Sequence, residues 1–379
     1  MQNELNLTAT CAFGLEASLK REMISLGLNI TSSGDGRVEF CGGFDAIARA
    51  NLWLRCADRI LLKIAEFPAK TFDELFDGVF AISWQDFIPR DSKIIVLGKS
   101  VKSKLSSVPS CQSITKKAIV EKLKLKYGIA EHLPETGFEY RIQAALLKDV
   151  VTVTIDTTGA ALHKRGYRQI ASAAPIKETL AAAMIELSYW RKNRILLDPF
   201  CGSGTIAIEA ALIAKNIAPG LMRNFASENW QFIGREVWAT ARKNAYLAMD
   251  TEYNPKIFAS DINPQLIELA RENARIAGID DCIEFAVADI ADIKLPGDYG
   301  VIITNPPYGE RLSDGDAVQT LHTHLGRILP KDTTWSTYVI TNDPTFETAF
   351  GRRANAKRKL FNGNIKTDYY QFHGPKPVV

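Results

Sequence analysis

Four short apolar runs in the second half of the chain constrain the fold more than any other feature, because a polar residue stands at or just beyond the end of each. They lie at 194–198, Ile257–Asp261, Ile283–Val287 and Val301–Thr304, with helical spacing between them. Alternating buried strand and helix predicts a mostly parallel sheet with helices on its faces. Open sheets of this kind bind ligands beyond the carboxyl ends of their strands. The polar residues at those ends are therefore the first to consider for function.

The first run leads into Pro199-Phe200-Cys201-Gly202-Ser203-Gly204-Thr205, and helical spacing starts at Ile206. Strand, glycine-containing turn and helix N-terminus thus follow one another. Glycine lets the backbone approach a ligand closely, and free N–H groups at a helix start suit a carboxylate or phosphate. A dinucleotide fingerprint would place a third glycine at position 207, which is Ala. Asp198 closes this strand and Asp261 closes the next, with Asn263-Pro264 as helix start and Gly278 as stop. An acid in the place of Asp261 can accept both hydroxyls of a ribose. It lies farther along the chain than the roughly 20 residues of a compact unit. The excess, 216–255, reads as an insertion with a helix of its own. After the third run, Asp289 can accept an adenine amino group or simply cap a helix.

The fourth run continues into Asn305-Pro306-Pro307-Tyr308. Each proline fixes its own φ and pushes the preceding residue toward extended geometry. The result is a rigid loop that suits an amine nucleophile conjugated to an aromatic ring. The Asn305 side-chain oxygen and the Pro306 carbonyl would accept its N–H bonds and turn its lone pair toward a sulfonium methyl group. Tyr308 would stack on the ring, worth about 1–3 kcal/mol. Catalysis would then be mainly orientation and electrostatics. The tetrapeptide alone does not distinguish a nucleobase from a protein glutamine.

In the first half, strands are expected at 5–12, 37–41 and 60–67 and helices at 14–26 and 44–54, a small ferredoxin-like α+β unit. Beyond it come a helix at Phe72–Phe80, a strand at 93–98 and a helix at 113–127. Strands at 138–147 and Val150–Asp156 follow, joined by Lys148-Asp149 as a hairpin tip. Net charge is only +3, so any nucleic-acid footprint must be local. Residues 90–130 supply one, with ten Lys/Arg against two acids. Lys99, Lys102, Lys104, Lys116 and Lys117 are expected to touch phosphates, with Lys164, Arg165 and Arg168 in the connecting segment. A hydrophobic content of 46% with 23% charged residues is enough for a full core. No stretch approaches the ~20 apolar residues of a membrane span. The N-terminus carries no secretory pattern. The six cysteines include no C-x-x-C pair. A cytoplasmic protein with reduced cysteines and no metal is expected.

The segments 198–205 and Asn305-Pro306-Pro307-Tyr308-Gly309-Glu310-Arg311 resemble those of the THUMP-domain RNA methyltransferases, in particular the bacterial 23S rRNA guanine-N2 methyltransferase group. The likeness extends to Leu162-His163-Lys164-Arg165-Gly166-Tyr167-Arg168 and to 175–183. The resemblance implies an α/β fold: a ferredoxin-like unit over 1–68, a THUMP-type RNA-binding domain over 69–158, a linker over 159–175 and a seven-stranded Rossmann-like class I methyltransferase domain over 176–379. It implies S-adenosyl-L-methionine as methyl donor and guanosine N2 as acceptor. RNA is the implied partner, 23S rRNA first and tRNA as the alternative. Some relatives carry a second methyltransferase domain; these 379 residues hold one, so a single modification is expected. The cofactor site would comprise Thr179, Asp198, Pro199, Phe200, Cys201, Gly202, Ser203, Gly204, Asp261, Ile262, Asp289, Ile290 and Asn305. Asn305, Pro306, Pro307 and Tyr308 would be catalytic. Adenine-N6 methylation, and a non-catalytic RNA-binding assembly factor, are the competing readings.

Overall fold

Short strands bounded by glycine turns, and helices with one apolar stripe, assemble into two mixed sheets in the computed structural model, which describes residues 4–168, 176–307 and 315–376. The first half runs β1 (Leu5–Thr10), α1 (Glu16–Ser25), β2 (Asn29–Gly34), β3 (Arg37–Gly42), α2 (Phe44–Trp53) and β4 (Arg59–Pro68). It continues with α3 (Phe72–Phe80), β5 (Lys93–Val101), α4 (Val108–Tyr127), β6 (Glu139–Leu147) and β7 (Val150–Asp156). These strands form one sheet in the order β2-β3-β1-β4-β7-β6-β5. Because β4 pairs with β1 on one side and β7 on the other, the sheet is continuous from the first N-terminal unit into the second.

Two features depart from the sequence expectation. Strand β2 is absent from the strands that the sequence predicts: apart from Ile30 its residues are exposed and lack large apolar side chains, so it carries no alternation to detect. It forms because β3 offers a pairing edge, and it completes the β-α-β-β-α-β order of a ferredoxin-like unit. Helix α4 starts at Val108, ahead of the expected 113, with the Ser107 hydroxyl accepting the Ser110 N–H and a proline in its first turn.

The second half comprises α5 (Glu178–Glu186), β8 (Leu196–Asp198), α6 (Thr205–Ala214), α7 (Arg235–Leu247), β9 (Ile257–Asp261), α8 (Pro264–Ile276) and β10 (Ile283–Val287). Then follow β11 (Val301–Thr304), α9 (Gly315–Arg327), β12 (Ser336–Thr341), α10 (Phe346–Phe350), β13 (Ala356–Asn362) and β14 (Ile365–Phe372). Strand order is β10-β9-β8-β11-β12-β14-β13: the first five are parallel, and the β13–β14 hairpin adds antiparallel to β12. The expected seven-stranded domain is therefore present, and β8, β9, β10 and β11 deliver their carboxyl ends to one edge.

The insertion between α6 and β9 is the dock between the halves. Phe232 meets Phe44 and Phe87 edge-on, and Trp230 stacks on Tyr140 with ring centroids 5.3 Å apart. The Gly220 N–H donates to the Leu52 carbonyl, and a Cβ on Gly220 would lie 2.8 Å from the Leu52 backbone. One buried apolar cluster consequently runs from Leu7 to Tyr369. Among the described residues no helix is long and apolar enough to cross a membrane.

Candidate active site

The loop after β8 is shaped by its neighbours before any ligand enters. Gly202 has φ +53 and open space where a Cβ would stand, so the backbone can turn there and face the cavity. Gly204, at φ +81, serves packing instead: its Cβ would come 3.0 Å from that of Ala270 on α8. The Ser260 carbonyl accepts the Cys201 N–H at 2.9 Å, and Asn273 Nδ2 donates to the Ser203 carbonyl at 3.0 Å. One Asp261 carboxylate oxygen accepts the Gly202 N–H at 3.0 Å and the other the Asn263 N–H at 2.9 Å. Each oxygen keeps a lone pair for a ligand.

Asp198 sits at the floor, 1% exposed. Its Oδ1 accepts the Thr304 hydroxyl at 2.6 Å and the Phe200 N–H at 3.3 Å, while Oδ2 is buried with no partner among the described residues. Burial pushes this carboxyl up to about 7; the Thr304 and Phe200 hydrogen bonds pull the other way, and the Asp261 charge adds to the rise. Thr304 is the residue that sequence reasoning missed. The signal was a hydroxyl at the end of an otherwise apolar strand, directly before the Asn-Pro-Pro-Tyr motif.

Asn305 follows at the end of β11, and its Oδ1 is likewise buried without a partner among the described residues. The cavity has a volume of about 440 Å³. Asp198, Pro199, Phe200, Cys201, Gly202 and Ser203 line it along one side, and Asp261, Ile262, Asp289 and Ile290 along another. Asn305 and Pro307 close it, and Ile176, Thr205, Ile206, Leu266, Ala288 and Leu321 complete the wall. Ile262 is 66% exposed, an apolar side chain left open to a ligand. Asp289 caps the short helix that follows by accepting the Ala291 N–H at 2.9 Å through Oδ1, so the plainer reading of this residue is realised; its other oxygen remains for a ligand. An orphaned acceptor on Asp198, open carboxylate lone pairs on Asp261 and an open glycine cradle fit an elongated ligand with donor groups along its length, and the orphaned Asn305 oxygen is left for a second donor. Tyr308 lies outside the described residues.

Other expected site residues go elsewhere. Thr179 is buried near the Asp58 carboxylate and does not line the cavity. Arg165 was expected to touch RNA but is 2% exposed. It pairs with Glu209 at 3.3 Å and donates to the Leu162 and Arg55 carbonyls, which makes it an internal tie. Arg168 is half-buried, bound to Glu178 at 3.2 Å and to the Thr205 hydroxyl beside the glycine loop, so it too is turned from solvent. Lys164, Lys99, Lys102, Lys104 and Lys117 are exposed; Lys116 is half-buried. Lys116 and Lys117 meet Glu135 and Glu121 at 3.1 and 3.8 Å. The structure also unites three residues that spacing could not link: Glu22, Cys56 and Glu186 hold ligand-type atoms within 4.8 Å of one another.

Comparisons with known proteins agree with this architecture. Residues 165–371 match the model of the RMKL-like methyltransferase domain, 69–156 that of the THUMP domain and 6–61 that of the RlmL ferredoxin-like domain. A Bacillus subtilis (strain 168) protein named "Putative RNA methyltransferase YpsC" is 51% identical over 97% of this chain and 95% of its own length. The "Ribosomal RNA large subunit methyltransferase K/L" of Cellvibrio japonicus (strain Ueda107) is 33% identical over 96% of this chain, which spans only 50% of that protein. Among solved structures, SMU.472, "a putative methyltransferase complexed with SAH", is 46% identical with a TM-score of 0.94 over all of both chains. A Listeria monocytogenes (str. 4b F2365) structure described as "a predicted N6-adenine-specific DNA methylase" is 48% identical, with a TM-score of 0.93 over 98% of this chain and 97% of its own. Two acid-tipped strands, an orphaned asparagine oxygen and these likenesses lead to one conclusion: the chain belongs to the RMKL-like methyltransferase family, with a THUMP domain and an RlmL-type ferredoxin-like domain ahead of its catalytic half.

Proposed function

We propose that the protein is an S-adenosyl-L-methionine-dependent RNA methyltransferase that acts on the exocyclic N2 of a guanosine, with 23S rRNA as its substrate. The observation that carries this reading is the buried, unpartnered Asn305 Oδ1 at the mouth of a cavity floored by Asp198. When bound, S-adenosyl-L-methionine supplies an electrophilic methyl group on a sulfonium. Asp198 Oδ2 would accept a hydrogen bond from the donor end of the cofactor. Asp261 would take the ribose hydroxyls, and Ile262 and Ile290 would pack on the adenine with Asp289 at its amino group. Asn305 Oδ1 and the Pro306 carbonyl would accept the two N–H bonds of the target amine. That turns the nitrogen lone pair out of conjugation and along the line of attack. As the nitrogen takes the methyl group and the S–C electron pair stays on sulfur, the nitrogen would become cationic, and Asn305 Oδ1 and the Pro306 carbonyl would stabilise its protons until one leaves to water. No strong base is required, because the methylated nitrogen is acidic.

The RNA part of the reading draws on the THUMP match and on the names of the rRNA and RNA methyltransferases that the chain resembles. Adenine N6 is the second reading, favoured by the description of the Listeria structure. A planar amine is all that the Asn-Pro-Pro-Tyr loop specifies. Within RNA, tRNA is the alternative acceptor. A cytoplasmic setting is part of this reading and rests on the RNA substrate.

Nucleoside mass spectrometry of rRNA and tRNA from cells with and without the protein tests the choice. Loss of N2-methylguanosine from 23S rRNA is expected, and loss of N6-methyladenosine alone would overturn it. Asn305→Ala should lower turnover by about 10²-fold or more while leaving cofactor affinity nearly intact. Near-normal turnover would remove Asn305 from the reaction.

A further inference from the structure

One strand end beside the Asn-Pro-Pro-Tyr loop has no part in the cavity. The carboxyl ends of β8, β9 and β10 supply the cavity walls, and β11 brings Asn305 and Pro307 to the mouth. In an in-line displacement the attacking amine lies across the methyl group from the sulfonium, so the acceptor sits on the side away from the cofactor. On that side the neighbour of β11 is β12. Thr304 and Val339 are partners in the parallel β11–β12 ladder, and Pro307 and Asn342 each stand three residues beyond that pair. Asn342 therefore leaves the sheet beside the loop, with β14 on its other flank, where Asp368 pairs with Thr341.

The backbone at this strand end is held by its own side chains. The Thr341 hydroxyl oxygen accepts the Asp343 N–H at 3.1 Å. Asp343 Oδ1 accepts the Thr345 N–H at 2.8 Å and its hydroxyl at 2.6 Å, while Oδ2 accepts Gln319 Nε2 at 3.0 Å. The Tyr370 hydroxyl donates to the Asp343 carbonyl at 3.3 Å, and Pro344 fixes its own φ. Asn342 is the exception. It is exposed, and its side chain makes no hydrogen bond with a described residue. A rigid turn thus presents a free carboxamide, one donor group beside one acceptor.

We propose that Asn342 reads the base edge next to the methylated amine and makes guanine the preferred acceptor, a deepening that rests on the guanosine-N2 reading above. With N2 held by Asn305, guanine next presents N1–H and O6, a donor beside an acceptor. A carboxamide matches that pair: Oδ1 accepts the N1–H and Nδ2 donates to O6. Adenine held by its N6 offers only the N1 lone pair there, which leaves Oδ1 without a donor. The bidentate asparagine contact that adenine can make uses N6 with N7, and N6 is already taken. A base taken out of its stack is read through this same Watson–Crick edge. Asn342 is then a specificity-determining residue; it does not meet the transferred methyl group.

Two acceptors that share the amine separate this role from a structural one. A synthetic copy of the 23S rRNA segment around the mapped nucleotide carries guanine or 2-aminopurine at that position. The analogue keeps the amine at C2 but lacks O6 and the N1 proton. Single-turnover methyl transfer is measured with the full chain as wild type, Asn342→Ala and Asn342→Asp. Wild type should methylate guanine about 10- to 100-fold faster than 2-aminopurine. Asn342→Ala should bring the two rates together by slowing guanine, with SAH affinity unchanged. Asn342→Asp, which keeps an acceptor but sets a charge against O6, should lose the preference as well. An intact guanine preference in Asn342→Ala, or equal rates in the wild type, would overturn the proposal. The two readings fail separately. Guanine methylated with its preference intact in the variant sinks the role of Asn342 alone. A mapped nucleotide that is adenine, or no methylated RNA at all, sinks the guanosine reading and this proposal with it.

Discussion

Asp198 shows how one residue acquires its chemistry from burial. A carboxyl at the end of an apolar strand loses solvation, and its ordinary range near 4 moves up to about 7. On the proposed function, a donor group of the cofactor at the unpartnered Oδ2 would favour the carboxylate, so affinity should fall as pH drops through about 7 and Asp198 protonates. The limit is about tenfold per pH unit. In the free protein the sign is opposite. The folded state holds this proton between its usual range and about 7, so this group lowers stability as pH rises through that window. Calorimetry of SAH binding from about pH 5.5 to 8 should show the loss in the wild type and not in Asp198→Asn. A flat profile in both would remove Asp198 from the binding site. Arg165 illustrates the reverse lesson. In the sequence it is one base among several, and only its neighbours Glu209, Leu162 and Arg55 turn it inward.

At the scale of elements, α1 and α5 meet through a carboxyl pair. Glu22 on α1 accepts the Arg55 and Cys56 N–H groups, and half-buried Glu186 at the end of α5 hydrogen-bonds to Glu22. Burial and the Glu22 charge push the Glu186 carboxyl well above the usual carboxylate range, against the pull of Arg55 and Arg21. The folded state thus keeps a proton that the unfolded chain releases. Stability from this seam is present at low pH and is lost as pH rises toward the alkaline side. Melting temperature should decline over that range in the wild type and less steeply in Glu186→Gln; parallel curves would show that the pair shares no proton. Elements also differ in how visible they are. The strands β8, β9 and β11 announce themselves by apolar runs, whereas β2 is exposed and polar and exists only because β3 pairs with it.

For the whole molecule, the two sheets are joined by the insertion after α6 and by residues 159–168, both of which contact the N-terminal half. Arg165 on the linker, Glu209 on α6 and the Tyr167 hydroxyl form a buried group in which Glu209 is fully enclosed. Removing one partner of a buried ion pair leaves the other uncompensated, which costs about 3–5 kcal/mol. Glu209→Ala should lose stability of that order in urea denaturation. A loss below about 1 kcal/mol would show that the pair is solvated and holds nothing. Arg168 extends this buried group to the glycine loop after β8 through Glu178 and Thr205.

The sequence by itself determined what depends on neighbours along the chain. Strand-turn-helix order, the glycine loop at 202–204, the acids at strand ends and the proline-stiffened Asn305 are written in local propensities and in the two hydrophobic periods. Tertiary structure decided what depends on partners far away in the chain. It left Asp198 and Asn305 with orphaned oxygens, set Thr304 on Asp198, turned Thr179 to Asp58 and closed Arg165 on Glu209. It also paired Lys116 with Glu135 and Lys117 with Glu121. The physical reason is that a polar side chain's role is set by desolvation and by its partner, and both are fixed only when distant segments meet.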